Sequence, residues 1–275
     1  MNNKTPTSNN RNSSLPTLAV AMIVKNEANF LERCLESIKE LADEIIILDS
    51  GSTDETEAIA RRYTDKFYVN QEWPGFGPQR QLAQSYVESD WILWLDADEV
   101  VTPELALSIR AVLEKSDTTS IYRLDRLNWV FDRFVRYGSA SPDFVARFYH
   151  TTYTTYNDNL VHESIIIPDD AKVVKLKGHL LHYSYTSYPD YLQKSYKYVE
   201  SWVDQRILAG KKSSLSKAFF KTIGRGFRDY IFRRGFLDGR TGLLMAALSM
   251  QYTFNRYAML HFKSKEQKNH ENPPN

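Results

Sequence analysis

The stretch WILWLDADE (91–99) places an apolar run of strand length directly before a pair of carboxylates. Two earlier runs have the same character: LAVAMIV (18–24) leads into Lys25-Asn26-Glu27, and EIIIL (44–48) leads into Asp49. All three are short, apolar and bounded by polar residues, the pattern of strands buried on both faces. Between the first two, Leu31, Cys34, Leu35, Ile38 and Leu41 recur at helical spacing and form one apolar face. That placement makes Cys34 a core residue rather than a nucleophile. Ser52-Thr53-Asp54-Glu55 then has the form of a capping box opening a helix to about Tyr63. A short strand at Lys66–Val69 and a helix over Pro78–Val87 precede the third run. Strands alternating with helices imply right-handed crossovers and an α/β fold with a mainly parallel sheet. Ligands in such sheets collect beyond the carboxyl ends of the strands, where Asp49, Asp96 and Asp98 fall.

The chain has 275 residues, 42% hydrophobic and 25% charged, a composition that excludes bulk disorder. Its formal charge of +1 hides an asymmetry: residues 210–265 carry twelve Lys/Arg against two Asp/Glu. An acidic body therefore precedes a basic C-terminal segment. The single cysteine excludes an internal disulfide. The opening MNNKTPTSNNRNSSLP has no apolar core and reads as a polar disordered tail, not a secretory signal. No run of 18 residues is free of strongly polar groups, which argues against a transmembrane helix.

From about Ser120 to Tyr185 the pattern is strand-like with aromatic loops: SIYRLD (120–125), FVARFYH (144–150), ESIIIP (163–168) and VVKLKGHLLHYSY (173–185). Beyond Pro189 the periodicity is helical over Tyr191–Ala209, Leu215–Arg234 and Gly239–Phe262. The expected division is a tail at 1–16, a catalytic domain at 17–190, a helical basic region at 191–265 and a tail at 266–275.

Two carboxylates flanking one small residue, as in Asp96-Ala97-Asp98, can hold a hard cation such as Mg²⁺ or Mn²⁺ that bridges diphosphate oxygens. Capping of the helix near Pro103 is the structural alternative. Asp49 at the end of its strand can accept the imide N–H of a uracil, whereas Ser52 and Gly51 serve a cap and a tight turn equally well. Lys25 and Glu27 lie in the same row, within reach of a base or ribose.

MIVKNE, LDSGSTDET and WLDADE, taken in this order and spacing, resemble the family-2 glycosyltransferases of the GT-A fold over roughly Leu18–Asp190. The resemblance implies a Rossmann-like nucleotide-sugar-binding domain in which Glu27 and Asp49 contact the uridine of a UDP-sugar. It implies that Asp98, with Asp96, serves the metal–ribose–phosphate end. GFGPQRQLAQ (75–84) is similar to the segment ahead of the D-x-D strand in that family, making Arg80 a donor-binding candidate. Gln81 stands where many relatives carry Asn and is left outside the site. LNWVFDRFVRYG (127–138), SPDFVARFYH (141–150), LVHES (160–164), LLHYSYTS (180–187) and IFRRGFLDGRTGL (231–243) resemble the bacterial lipopolysaccharide inner-core β-1,4-glucosyltransferases. Transfer of glucose from UDP-glucose to a heptose is the activity this implies. Other lipid-linked or surface glycans are the alternative acceptors, and a non-catalytic membrane-binding module is the alternative class.

Inverting transfer needs a base on the side of the sugar opposite the leaving diphosphate, so the base comes from outside the D-x-D. Glu163 in VHES is the candidate, with His162 beside it, and Asp143 and Asp132 are held in reserve. His182 shares strand parity with Leu176 and Leu180 and reads as a core histidine. Its late position also suits the histidine that completes the metal shell in several GT-A enzymes.

In the basic segment Lys217, Lys221, Arg225, Arg228, Arg233 and Arg234 interleave with Phe219, Phe220, Ile223, Phe227, Tyr230, Ile231 and Phe232. This composition suits a helix lying on an anionic bilayer, peripheral on the cytoplasmic membrane face, with packing against the domain as the alternative. The acidic body offers no continuing groove for nucleic acid. A sugar-nucleotide nucleotidyltransferase would need a Gly-rich, basic phosphate loop after the first strand, where this chain has MIVKNEAN.

Overall fold

The computed structural model describes residues 15–115, 117–161 and 163–271, with side chains described to residue 266. Contacts divide the chain into two compact units, Met1–Asp125 with Phe144–Leu181, and Arg126–Asp143 with His182–Asn275. The division is interleaved, unlike the expected linear boundary at 190.

The first unit begins with β1 (Leu18–Val24), α1 (Leu31–Ile38), β2 (Glu44–Asp49), α2 (Thr56–Ala60) and β3 (Phe67–Val69). Next come α3 (Phe76–Gln84), β4 (Trp91–Trp94), β5 (Glu99–Val101) and α4 (Pro103–Leu113). β6 (Ser120–Val130), β8 (Asp143–His150) and β9 (Lys172–Tyr185) contribute to the same sheet, whose order is β3-β2-β1-β4-β8-β6-β9-β5. β1 pairs in parallel with β2 and β4, and β2 with β3, as the βαβ pattern requires. β8 then joins β4 antiparallel, so the parallel strands β3-β2-β1-β4 belong to a mixed, GT-A-like sheet.

Alternate residues of the strands feed two cores. Leu18, Val20, Met22, Trp91 and Leu93 face α1 and α4, and Ala21, Ile46, Leu48, Ile92 and Trp94 face the side of α3. A strand covered on both faces has no reason to alternate polar and apolar residues, which explains the continuous apolar runs. Leu31, Cys34, Leu35 and Ile38 are fully buried beneath α1, each large aliphatic side chain contributing about 1.5–3 kcal/mol. Thr102 caps α4 by accepting the Leu105 N–H, with Pro103 in its first turn.

Two local expectations change. Ser52 does not cap α2, which starts at Thr56 with no side-chain bond from its N-cap Glu55. Asp54 instead accepts the Thr56 N–H at 3.0 Å. ESIIIP is not a strand: Ile165 makes one isolated bridge to Tyr156, while Ile166 and Ile167 are exposed and pair with no strand.

In the second unit β6 turns through Phe131, in the left-handed region at φ 60°, into β7 (Arg133–Val135). Three long helices follow: α5 (Tyr188–Leu208), α6 (Leu215–Phe227) and α7 (Gly239–Glu271). A π-helical turn (Arg228–Phe232) continues α6, so the expected single helix to Arg234 is broken there. α7 reaches into the stretch expected as the C-terminal tail, and most of the N-terminal tail lies outside the described residues. Val130, Val135, Tyr191, Met245 and Leu248 form one core cluster, and Val199, Val203 and Leu260 another. No helix among the described residues is long and apolar enough to cross a membrane.

Gly178 of β9 sits at φ +86°, and a Cβ there would lie 2.3 Å from the Leu105 backbone nitrogen. Gly178→Ala should therefore destabilise the protein by about 2 kcal/mol or more through combined strain and overlap, read as a lower urea midpoint.

Candidate active site

The loops leaving β1 and β2 are joined to each other by main-chain-to-side-chain bonds. Asn26, at φ 56°, donates its N–H to Ser52 Oγ at 2.8 Å, and its Oδ1 accepts the Thr53 N–H at 2.8 Å. The Glu27 N–H reaches Thr56 Oγ1 at 2.8 Å, and the Ala28 N–H reaches Asp54 Oδ2 at 3.1 Å. The Thr56 hydroxyl, outweighing burial, holds the Asp54 carboxyl below its ordinary value. Glu27 is half-buried and Lys25 exposed beside this web.

Asp49 is 4% exposed and closes its own turn. Its Oδ2 accepts the Gly51 and Ser52 N–H groups at 2.9 and 2.8 Å, and its Oδ1 accepts the Ser52 hydroxyl. The left-handed φ of +84° at Gly51 makes that turn possible. The structural role therefore holds in full, and a base contact would use the remaining lone pairs of the same carboxylate.

Beyond β4, Asp96 lies between two guanidinium groups. Arg80 of α3 donates from Nη2 to Oδ1 at 2.7 Å, while Arg147 of β8 spans both oxygens at 3.3 and 2.8 Å. The Asp96 N–H is taken by Glu99 Oε2 at 2.9 Å. Burial alone would raise the Asp96 carboxyl, but Arg147 and Arg80 overcome it and hold the group well below the carboxylate range. Arg80 is only 3% exposed and lies over the Trp94 and Tyr156 rings at 5.2 and 5.0 Å. Its Nε reaches Glu163 Oε1 at 3.2 Å, and its Nη1 is buried with no hydrogen-bond partner among the described residues. Cys34 is wholly buried behind this loop, its Sγ 3.7 Å from the Asp96 carbonyl. Burial first, then the charges of Glu99, Asp98 and Asp96, push its thiol up, in keeping with a core role.

Five expected donor-side and base residues, Asp49, Arg80, Asp96, Asp98 and Glu163, thus belong to the first unit, as do Lys25 and Glu27. Arg147 was not foreseen. The available signal was its parity on β8, where an arginine lies in the strand next to buried Phe148 and Tyr149.

Asp143 and His182 belong to the second unit and line one cavity of about 350 Å³ there. Asp143 pairs with Arg126 at 2.8 Å, and His182 Nδ1 lies 2.7 Å from Asn128 Oδ1 and 2.9 Å from Ser184 Oγ. His182 is thus half-buried and belongs to a side-chain network. Asp132 is largely exposed on the β6–β7 turn, and His162 lies outside the described residues. Among the described residues no three His, Cys, Asp or Glu side chains converge on a point that could hold a metal.

A two-faced mixed sheet with acidic and polar loops beyond β1, β2 and β4 is the GT-A-like, Rossmann-type arrangement. Residues 19–172 match the sequence profile of glycosyl transferase family 2, and the chain belongs to that family. It is 30% identical over 258 residues to an uncharacterized glycosyltransferase of Rickettsia bellii (strain RML369-C), covering 88% of this chain and 84% of the relative. It is 28% identical over 267 residues to the lipopolysaccharide core biosynthesis glycosyltransferase LpsC of Rhizobium meliloti (strain 1021), covering 88% and 93%. Among solved structures it is similar to S. aureus TarS (15% identity, TM-score 0.44, 68% of this chain and 40% of that one). Glucosyl-3-phosphoglycerate synthase from Mycobacterium tuberculosis, in complex with Mg²⁺ and UDP, is similar at 24% identity and TM-score 0.34, covering 41% and 44%. The chain spans less than half the length of both solved structures.

The Asp96 triad generates a test. A carboxylate depressed in the folded state adds stability that is present above its unfolded value of about 3.9 and is lost as pH falls below that value. Arg147→Gln should lower neutral-pH stability, by up to about 3–5 kcal/mol for a buried member of an ion group. The fall in urea midpoint between pH 5 and pH 2 should also be shallower than in the wild type, because less carboxylate-linked stability remains to be lost.

Proposed function

We propose that this glycosyltransferase moves a hexose, glucose in the simplest reading, from a UDP-sugar to the heptose of a lipid-anchored lipopolysaccharide inner core, with inversion. The observation that carries the reading is the row of three polar loops, Lys25–Ala28, Asp49–Thr56 and Asp96–Glu99, at the carboxyl ends of adjacent parallel strands. The named role of the Rhizobium relative in core biosynthesis supports the acceptor class. In this reading Lys25, Glu27 and Asp49 bind the nucleoside, and Arg80 and Asp96 shape the diphosphate end.

A divalent cation, Mg²⁺ or Mn²⁺, belongs to the proposal through Asp98. Mg²⁺ in such sites takes one or two carboxylates and completes its shell with substrate phosphates and water, so a protein cage of three ligands is not required. The fit is chemical: Asp96 is held between arginines, and Asp98 is the second carboxylate on the same loop. The metal would supply charge neutralisation of the departing diphosphate. Glu163 takes the acceptor hydroxyl proton, and Arg80 fixes its carboxylate through the 3.2 Å contact. Asp143 remains the reserve base. The exposed aromatic and basic side chains of α6 support a peripheral position on the cytoplasmic face of the inner membrane, where an anionic surface and a lipid-anchored acceptor would meet the enzyme.

Asp98→Ala should abolish transfer and make UDP-sugar affinity insensitive to added Mn²⁺ or Mg²⁺. Full activity in excess chelator would overturn the metal. Glu163→Gln should keep donor affinity and lower kcat on the natural acceptor by about 10²–10⁴, since a base acts only in the transition state. A larger loss in Asp143→Asn, with Glu163→Gln nearly active, would move the role to Asp143.

A further inference from the structure

Within the second unit a cleft of about 660 Å³ opens along α6 and α7, inside the range of roughly 300–1,000 Å³ usual for small-molecule sites. Lys217, Lys221, Arg225, Arg228 and Arg256 line it, and no acidic side chain does among the described residues. Asp229, 1% exposed, pairs with Arg225 and Arg228 and holds those two in place. Arg256 is oriented differently, its guanidinium 4.7 Å from the Trp202 and Tyr252 ring centres, with Nε buried and without a hydrogen-bond partner among the described residues. Cations drawn to one concavity and fixed by rings and a buried carboxylate are arranged for an anion.

Two glycines of α6 shape this cleft. A Cβ on Gly226 would lie 2.5 Å from Met250 Sδ, so that position allows α6 to approach α7 closely. Gly224 lines the cleft, and a Cβ there would meet nothing within 4 Å. The same helix leaves Phe219, Phe220 and Phe227 at 57%, 72% and 61% exposure, with Phe220 on the cleft wall. Large apolar side chains left in this state mark a surface that is covered by an apolar phase or partner.

From this cleft and its apolar border we infer that α6 and α7 form a binding site for the phosphate of an anionic phospholipid headgroup. The phosphate enters among Lys217, Lys221, Arg228 and Arg256, and the phenylalanines beside it enter the acyl boundary. This inference rests on the membrane-surface reading above and makes it specific: one phosphate is held in a shaped site, in addition to diffuse attraction. A soluble phosphorylated saccharide would use the same cations but would gain nothing from the phenylalanines.

Gly224→Leu tests this without altering charge, because it fills the cleft and replaces glycine by a better helix former. Binding of the full chain to phosphatidylcholine vesicles containing phosphatidylglycerol is measured by sedimentation, and binding of free glycerol 3-phosphate by calorimetry. The wild type should bind the vesicles, and Gly224→Leu should weaken that binding by about tenfold with unchanged circular dichroism and thermal midpoint. Should the leucine perturb folding, the cleft pair Lys217→Gln/Lys221→Gln is compared with Lys211→Gln/Lys212→Gln, an equal loss of charge at two exposed residues that do not line the cleft. A greater loss for the cleft pair supports the site, and equal losses overturn it. Undiminished vesicle binding by a folded Gly224→Leu also overturns it while leaving the membrane reading intact. Absent vesicle binding by the wild type defeats both, and glycerol 3-phosphate binding that persists there and is lost in Gly224→Leu assigns the cleft to a soluble phosphate.

Discussion

One carboxylate joins the parts of the first unit that carry its chemistry. Asp96 receives Arg80 from α3 and Arg147 from β8, and its own N–H is held by Glu99. A buried guanidinium without a partner is costly, so both arginines are stable only if α3 and β8 sit where Asp96 can meet them. Arg80 extends the same linkage to Glu163, 83 residues later in the chain. The loop after β4, the helix before it and the segment after Tyr156 are thereby held in one electrostatic unit.

This linkage separates two residues that look alike in a D-x-D motif. Asp96 is held by two arginines, and Asp98 is the second carboxylate on the same loop. A comparable division holds for the loops after β1 and β2, where Asp49, Ser52, Asp54 and Thr56 satisfy main-chain N–H groups. In the proposed reading, these hydrogen bonds preorganise the donor pocket, which would limit the ordering cost of binding.

The second unit follows different physics. Its helices bury modest apolar clusters and leave phenylalanines of α6 in the open, while arginines are held by Asp229 and by aromatic rings. In the proposed phosphate site, selectivity would come from shape and charge on a helical surface, as against strand ends in the first unit.

The α/β class, the strands LAVAMIV, EIIIL and WILWL, the core position of Cys34 and the family motifs were all legible from residue order. Burial of a strand on both faces leaves a continuous apolar run and burial of one helix face leaves a helical period, and both are local signatures. Where the structure differs, the cause is a partner that residue order does not name. ESIIIP has strand composition, yet its one β-bridge, Ile165 with Tyr156, stays isolated, because strand formation depends on a neighbour that composition does not name. The expected cap at Ser52 gave way to a bond from its hydroxyl to Asp49, and the expected linear boundary at 190 to a division in which the chain crosses between units more than once. Arg147, the separation of His182 from Asp98 into different units, and the cleft along α6 and α7 were decided only by tertiary structure. Charges meet across long sequence separations, and their energy depends on distances and burial that exist only once the chain has folded.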